Sequence, residues 1–422
     1  MTNKHMGARK VRYTAATFAS LHRSRDFRTF FFAQVGSNIG TWMQITGLSW
    51  VVLDLTGSAS KLGVVLAVET LPIMLLGPFA GSVVDRYDIR RLIVTTQTAL
   101  AVIVVALAAL QSTGQLNYLT TLVLSFLFGM ALAIDSPARQ ALLPELVDAR
   151  DLSNAIAMNA VSLNGSSLLG PALGGLVVAW AGAAWCFVLN GVSFAAVALT
   201  LWAVRTDTRR AREDAAAARP ATKIADALRV VARTPIMRDA LLMMALVGIF
   251  TYEFPVTLPL LARENFEAGP TFYGLLFAAA GAGATLWGLR LAGQHVHDRG
   301  ALANASIVLG AFVLVAAWIP HPVVEIAVFV LVGAASVRFM ALANAAVLQN
   351  APAPFRGRIM SLWHICFQGT TLIGAPAVGS VAAALGARWA LAVGALAALG
   401  AGVWGRWSHQ RERTSPPTLP VQ

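Results

Sequence analysis

Four ionisable side chains stand inside or at the edge of long apolar stretches of this sequence: Glu69, Asp135, Glu253 and Arg338. At bilayer depth such a group costs at least about 2.5 kcal/mol on insertion scales, so each needs a task. A buried carboxyl can take up and release a proton, or pair with a cation. Glu69 and Glu253 are therefore candidate proton carriers, and Arg338 is a candidate ion-pair partner for Glu253. Asp135 lies close to the end of its stretch, where it is placed to exchange contacts with a basic loop holding Asp85, Arg86, Arg90 and Arg91. The polar side chains Gln34, Asn38, Gln44, Asn159, Asn164, His364 and Gln368 offer hydrogen bonds to a bound small molecule. Gln34 and Asn38 are four apart and share a helix face. The alternative for each is a hydrogen bond between helices.

Other chemistries lack their residues. The chain has four lysines, and none follows the glycine-rich loop that an ATP pump needs. No His-Glu-x-x-His and no Gly-x-Ser-x-Gly elbow appears, so no enzyme is expected. The two cysteines, Cys186 and Cys366, have no metal-ligand spacing, and no metal or cofactor is expected.

The elements that must position these residues follow from composition. Of 422 residues, 57% are hydrophobic and 12% are charged, about half the charged share of a soluble domain. The apolar residues come in blocks of about 20, the length of a membrane-spanning helix. Period-two segments, the mark of a membrane barrel, are missing. The blocks fall at 28–53, 60–84, 91–112, 117–138, 153–180 and 183–204, then at 237–262, 271–294, 301–320, 322–348, 357–384 and 387–407. The expectation is an all-α membrane protein of twelve spans. It divides into an N-terminal segment (1–27), a first six-helix bundle (28–204), a central linker (205–235), a second bundle (236–407) and a disordered tail (408–422). The basic, polar N-terminal segment has no apolar core of its own, so the first block is expected to act as the insertion signal.

The net charge of +12 raises the question of nucleic acid, and its placement answers it. Basic residues in short loops mark the cytoplasmic side. With the N-terminus inside, the inner segments hold nearly all of them, and the outer loops keep Lys61, Arg263 and Arg388. The charge reads as topogenic, with both termini cytoplasmic and no nucleic-acid partner.

The two halves repeat. Gly170-Pro171-Ala-Leu-Gly174-Gly175, followed by Gly182-Ala-Ala-Trp185, matches Ala375-Pro376-Ala-Val-Gly379-Ser380, followed by Gly386-Ala-Arg-Trp389. Gly81 to Arg86 matches Gly293 to Arg299, keeping the pairs Asp85-Arg86 and Asp298-Arg299.

The loop Gly81-Ser-Val-Val-Asp85-Arg86-Tyr-Asp88-Ile-Arg90-Arg91 resembles the signature of the major facilitator superfamily, Gly-x-x-x-Asp-Arg followed by basic residues. Asp88 and Ile89 depart from it, standing where Gly and a basic residue are usual. In the fifth block, Ser166-x-x-x-Gly170-Pro171-x-x-Gly174-Gly175 is similar to the superfamily's antiporter motif. With Ile134 to Leu146 and Asn154 to Ala157, the chain resembles the transmembrane secretion effectors, the branch of enterobactin-exporter-like and multidrug-efflux-like proteins.

That resemblance implies two pseudo-symmetric six-helix bundles and alternating access around a substrate near the midplane. Gly81, Asp85, Arg86, Arg90, Arg91 and Asp135 would form a cytoplasmic gate, with Gly81 permitting close helix approach. It also implies proton-driven export of drugs, siderophores or similar amphipathic molecules by a monomer in the cell inner or plasma membrane. Many drug–proton antiporters carry an arginine four residues before the position of Gly129; Ser125 stands there instead. Import of a nutrient, and a sensor or scaffold on a transporter fold, are the alternatives.

Overall fold

The computed structural model describes residues 19–203, 224–291 and 299–414. The central linker up to residue 223 and Asp298 lie outside the described residues, as do the tail from residue 415 and the side chains of Asp85, Asn164 and Arg299.

The described chain is helical throughout and holds no strand. A short α1 (Ala19–Arg23) precedes α2 (Arg25–Thr56), α3 (Ala59–Arg86), α4 (Ile89–Ser112), α5 (Tyr118–Leu146), α6 (Leu152–Ala181) and α7 (Ala183–Ala203). After the linker come α8 (Ile224–Arg233), α9 (Pro235–Phe250), α10 (Phe254–Leu260), α11 (Pro270–Leu291), α12 (Arg299–Trp318) and α13 (Pro322–Asn350). The last are α14 (Arg356–His364), α15 (Thr371–Leu385) and α16 (Ala387–Thr414).

Among the described residues, ten helical stretches are long and apolar enough to cross a membrane. The two remaining long helices, α2 and α11, complete the expected twelve. α2 falls short because polar residues run along it, from Arg25 and Asp26 through Gln34, Asn38 and Gln44 to Asp54. Two of the crossings are composite. α9 and α10 are joined through Thr251–Glu253 and continue into a π-helical turn, Leu261–Asn265. α14 runs through a π turn, Ile365–Gly369, into α15.

Local chemistry sets the ends. Asn117 and Thr120 cap α5 reciprocally. Gly182 and Gly386, matching positions of the internal repeat, end their helices with φ of +87° and +93°. Only glycine takes that conformation without strain, which accounts for its presence in both halves.

The chain divides into two compact units. One comprises Met1–Gly47 and Pro72–Arg219, the other Leu48–Leu71 and Pro220–Gln422. The division returns within the predicted linker but assigns the tip of the α2–α3 hairpin to the second unit.

In the first unit, Phe27, Phe30, Ile93, Ala138, Leu142 and Val197 form the main buried cluster. Gly170 and Gly174 bring α6 against α2: a Cβ at Gly170 would lie 2.3 Å from the Trp42 Cβ, and one at Gly174 2.9 Å from the Thr46 Cβ. In the second unit α11 and α13 cross at Gly283 and Gly333, where an added Cβ would stand 1.7 Å from the Val330 and Ala280 carbonyl oxygens. In lipid no hydrophobic drive holds helices together, so small residues that admit dispersion contact do. The hairpin tip packs in the same way: a Cβ at Gly63 would lie 2.1 Å from the Ala375 oxygen, and one at Gly379 2.6 Å from the Ala59 oxygen. Asp54 and Arg263 form an ion pair of 2.9 Å beside it.

Candidate functional site

In the second unit the seventh crossing is interrupted at Thr251, Tyr252 and Glu253. The cause lies in the sequence Phe254-Pro255: a proline inside a helix removes a hydrogen bond and clashes with the carbonyl four residues back. Side-chain hydroxyls at the break make their own hydrogen bonds. The Thr251 hydroxyl donates to the Gly394 carbonyl at 2.8 Å, and the Thr257 hydroxyl to the Glu253 carbonyl at 3.2 Å.

Glu253 therefore sits at a helix break and is 2% exposed. Its Oε1 has no hydrogen-bond partner. Gly374 makes room for it: a Cβ there would lie 2.7 Å from Oε1 and 2.3 Å from the Ile249 oxygen. Beside the break, Tyr252 packs edge-on to Phe254 and Phe367, each 6.4 Å away, and Phe254 packs on Phe329 at 6.0 Å. The Tyr252 hydroxyl donates to the Ser336 carbonyl at 3.2 Å.

Among the described residues no ion pair joins Glu253 to Arg338. The Arg338 guanidinium instead lies over the Trp287 ring, 5.9 Å from its centroid. Glu69 is partly exposed in the first half of α3, within the hairpin tip.

In the first unit the amides of α2 bond both within the helix and across to its neighbours. Gln34 donates to Asn38 at 3.0 Å, and Asn38 to the Ser162 hydroxyl of α6 at 3.1 Å. Asn190 of α7 donates to Gln44 at 2.6 Å. All three α2 residues are buried; Asn38 and Gln44 bond across to other helices, as in the interhelical alternative, whereas the Gln34 bond stays within α2 and its Oε1 has no partner. Asn159 is partly exposed, whereas His364 and Gln368 are exposed on the crossing that carries the second π turn.

Asp135 is completely buried. It accepts from Thr96 at 2.7 Å and from Gln97 at 3.0 Å, and Arg139 lies 2.8 Å away on its own helix. These contacts come from α4 and α5. Among the described residues none comes from the Gly81–Arg91 loop, with which Asp135 was expected to join. That loop is anchored differently. Asp88 accepts from the Arg91 amide at 2.8 Å and caps α4, which gives its departure from the signature a structural use. Arg90 donates to the Leu201 and Trp202 carbonyls, satisfying orphan acceptors at the end of α7. Arg86 and Arg91 are exposed. Among the described residues, an added Cβ at Gly81 would meet nothing within 4 Å.

The family model for the transmembrane secretion effectors matches residues 15–415. The chain belongs to that family. It is 24% identical to the staphyloferrin A transporter of Staphylococcus aureus over 59% of this chain and 62% of that one, just under two thirds of the relative's length. It is also 24% identical to the multidrug efflux pump Tap of Mycolicibacterium fortuitum, over 78% of this chain and 83% of the pump. In fold it matches a bacterial homologue of the lysosomal transporter Spinster, with a TM-score of 0.72, 14% identity and coverage of 93% of this chain and 98% of that one. Both sequence and structure place this family member in the major facilitator fold.

Within that fold, Gly170 and Gly174 of the antiporter-like motif serve the approach of α6 to α2, while Pro171 lies inside α6 and Gly175 is buried. One buried charge escaped the sequence reading. Glu325 is fully buried in the first turn of α13, and neither carboxylate oxygen has a hydrogen-bond partner. Arg388 acts on it electrostatically and donates to the Ile319 carbonyl at 3.4 Å. The available signal was a Glu three residues after Pro322, a helix start where a carboxylate is favoured.

Proposed function

We propose that this secretion effector is a proton-driven exporter of amphipathic small molecules. It works by alternating access as a monomer in the cell inner or plasma membrane, with both termini cytoplasmic. The observation that carries the coupling is Glu253, buried at a helix break with an unpartnered oxygen and no counter-ion among the described residues. A charge left in that position is costly to bury, so a proton accompanies the carboxyl whenever water is excluded. The interruption of the helix gives the site a hinge through which it can be opened. Discontinuous crossings of this kind line transport sites in other carriers.

Export is supported by the antiporter-like motif in α6 and by the efflux pump among the relatives. The loop Gly81–Arg91 supplies the cytoplasmic gate, with Arg90 holding α4 to α7. His364, Gln368 and the Tyr252–Phe367 aromatic surface are the lining offered to substrate.

The test is accumulation of several hydrophobic drugs and a siderophore in cells with and without the gene, before and after a protonophore. Lower accumulation that the protonophore abolishes is expected. Faster uptake would replace export with import. No difference for any compound would favour a sensor or scaffold.

A further inference from the structure

Arg338 is the seventeenth residue of the 29-residue helix α13, near mid-span and only partly exposed. A guanidinium at that depth is kept when it pairs, faces a watery cavity or handles a charged ligand. Glu253, its expected partner, makes no ion pair with it among the described residues. Among the described residues Arg338 has neither an ion pair nor a hydrogen bond; its one assigned contact is the face of Trp287. Trp287 brings a second donor, because its indole Nε1–H is buried and has no acceptor.

Two donors thus sit side by side, with no acceptor assigned to either. Their juxtaposition is built into the helix crossing. A Cβ at Gly283 would meet the Val330 carbonyl and the Ala334 amide nitrogen. Trp287 follows Gly283 by four residues, and Arg338 follows Ala334 by four. Each is one turn further along the face that its helix presents to the other. The glycine crossing thereby fixes both side chains on a rigid scaffold. The cation–π contact with the indole leaves the edge donors of the guanidinium free for a carboxylate.

We propose that Arg338 and Trp287 form a recognition site for the carboxylate of an amphipathic organic anion. The guanidinium binds the charge, and the indole contributes its N–H and an apolar face for the body of the molecule. This inference rests on the small-molecule transport reading above and narrows its substrate class.

The experiment is equilibrium binding to the purified full chain in lipid nanodiscs. The probes are dansylglycine and its neutral amide, dansylglycinamide, followed by probe fluorescence. The wild type should bind the carboxylate roughly tenfold more tightly than the amide. Arg338→Met should bring the two to near equality, Arg338→Lys should keep a reduced preference, and Trp287→Phe should weaken the carboxylate several-fold. Equal wild-type binding of the two probes would overturn the site, as would an undiminished preference in Arg338→Met. If Arg338→Met does not fold, the Lys and Phe variants decide, and wild-type affinity in both would overturn it. Because binding is read without flux, loss of transport direction or proton coupling with the preference intact would remove the exporter reading alone.

Discussion

Glu253 and Asp135 are both buried carboxyl groups, and their surroundings differ. Asp135 is saturated by Thr96, Gln97 and Arg139. Glu253 keeps an orphan oxygen. Removing the Asp135 carboxylate strands Arg139, so Asp135→Ala is expected to cost about 3 kcal/mol, read as a lowered thermal unfolding midpoint. Glu253→Gln keeps the size and removes the titratable group. It should fold normally and lose proton-gradient-driven efflux by at least about tenfold, while exchange of substrate down its own gradient persists. Undiminished proton-driven efflux in Glu253→Gln would remove it as the carrier. Both residues were visible in the sequence as charges in apolar blocks. Which was paired was not visible, because Thr96 and Gln97 approach Asp135 from another helix.

At the scale of the helices, glycine positions separate into those that hold the packing and those that do not. Gly283→Leu would force α11 away from the Val330 carbonyl, a backbone atom that cannot rotate aside. A destabilisation of about 3 kcal/mol is expected from such overpacking. Gly81→Leu, where a Cβ meets nothing within 4 Å, should leave the unfolding midpoint unchanged. Scanning calorimetry of the two variants in one detergent makes the comparison. The repeated Gly-Ala-x-Trp segments were legible because a positive φ leaves a compositional trace at Gly182 and Gly386. The interruption at Thr251–Glu253 had its own trace in Pro255, yet hydrophobicity ran through it unbroken. Hydropathy reports burial and says little about backbone continuity.

For the molecule as a whole, the hairpin tip Leu48–Leu71 is grouped with the second half of the chain. The Asp54–Arg263 pair there is about half exposed on both sides and is worth no more than about 1 kcal/mol; the glycine contacts around it do the joining. Cysteines replacing Asp54 and Arg263, in a chain with Cys186 and Cys366 changed to serine, should be joined by a short bifunctional maleimide. A failure to cross-link in membranes would count against this packing. Cysteines at Asn3 and Thr418 should react with an impermeant reagent only from the cytoplasmic side.

The sequence by itself determined the helical spans and the family, because burial in lipid demands long apolar blocks and tight turns demand glycine. It also presented the ionisable residues that had to be explained. Only the tertiary structure decided their partners: Arg139 rather than the basic loop for Asp135, an indole rather than Glu253 for Arg338, and helix-to-helix hydrogen bonds for Asn38 and Gln44. Pairing depends on which helix faces meet, and that is set by close contacts between segments as distant as Ser60 and Ser380. No local pattern in a chain records such a meeting.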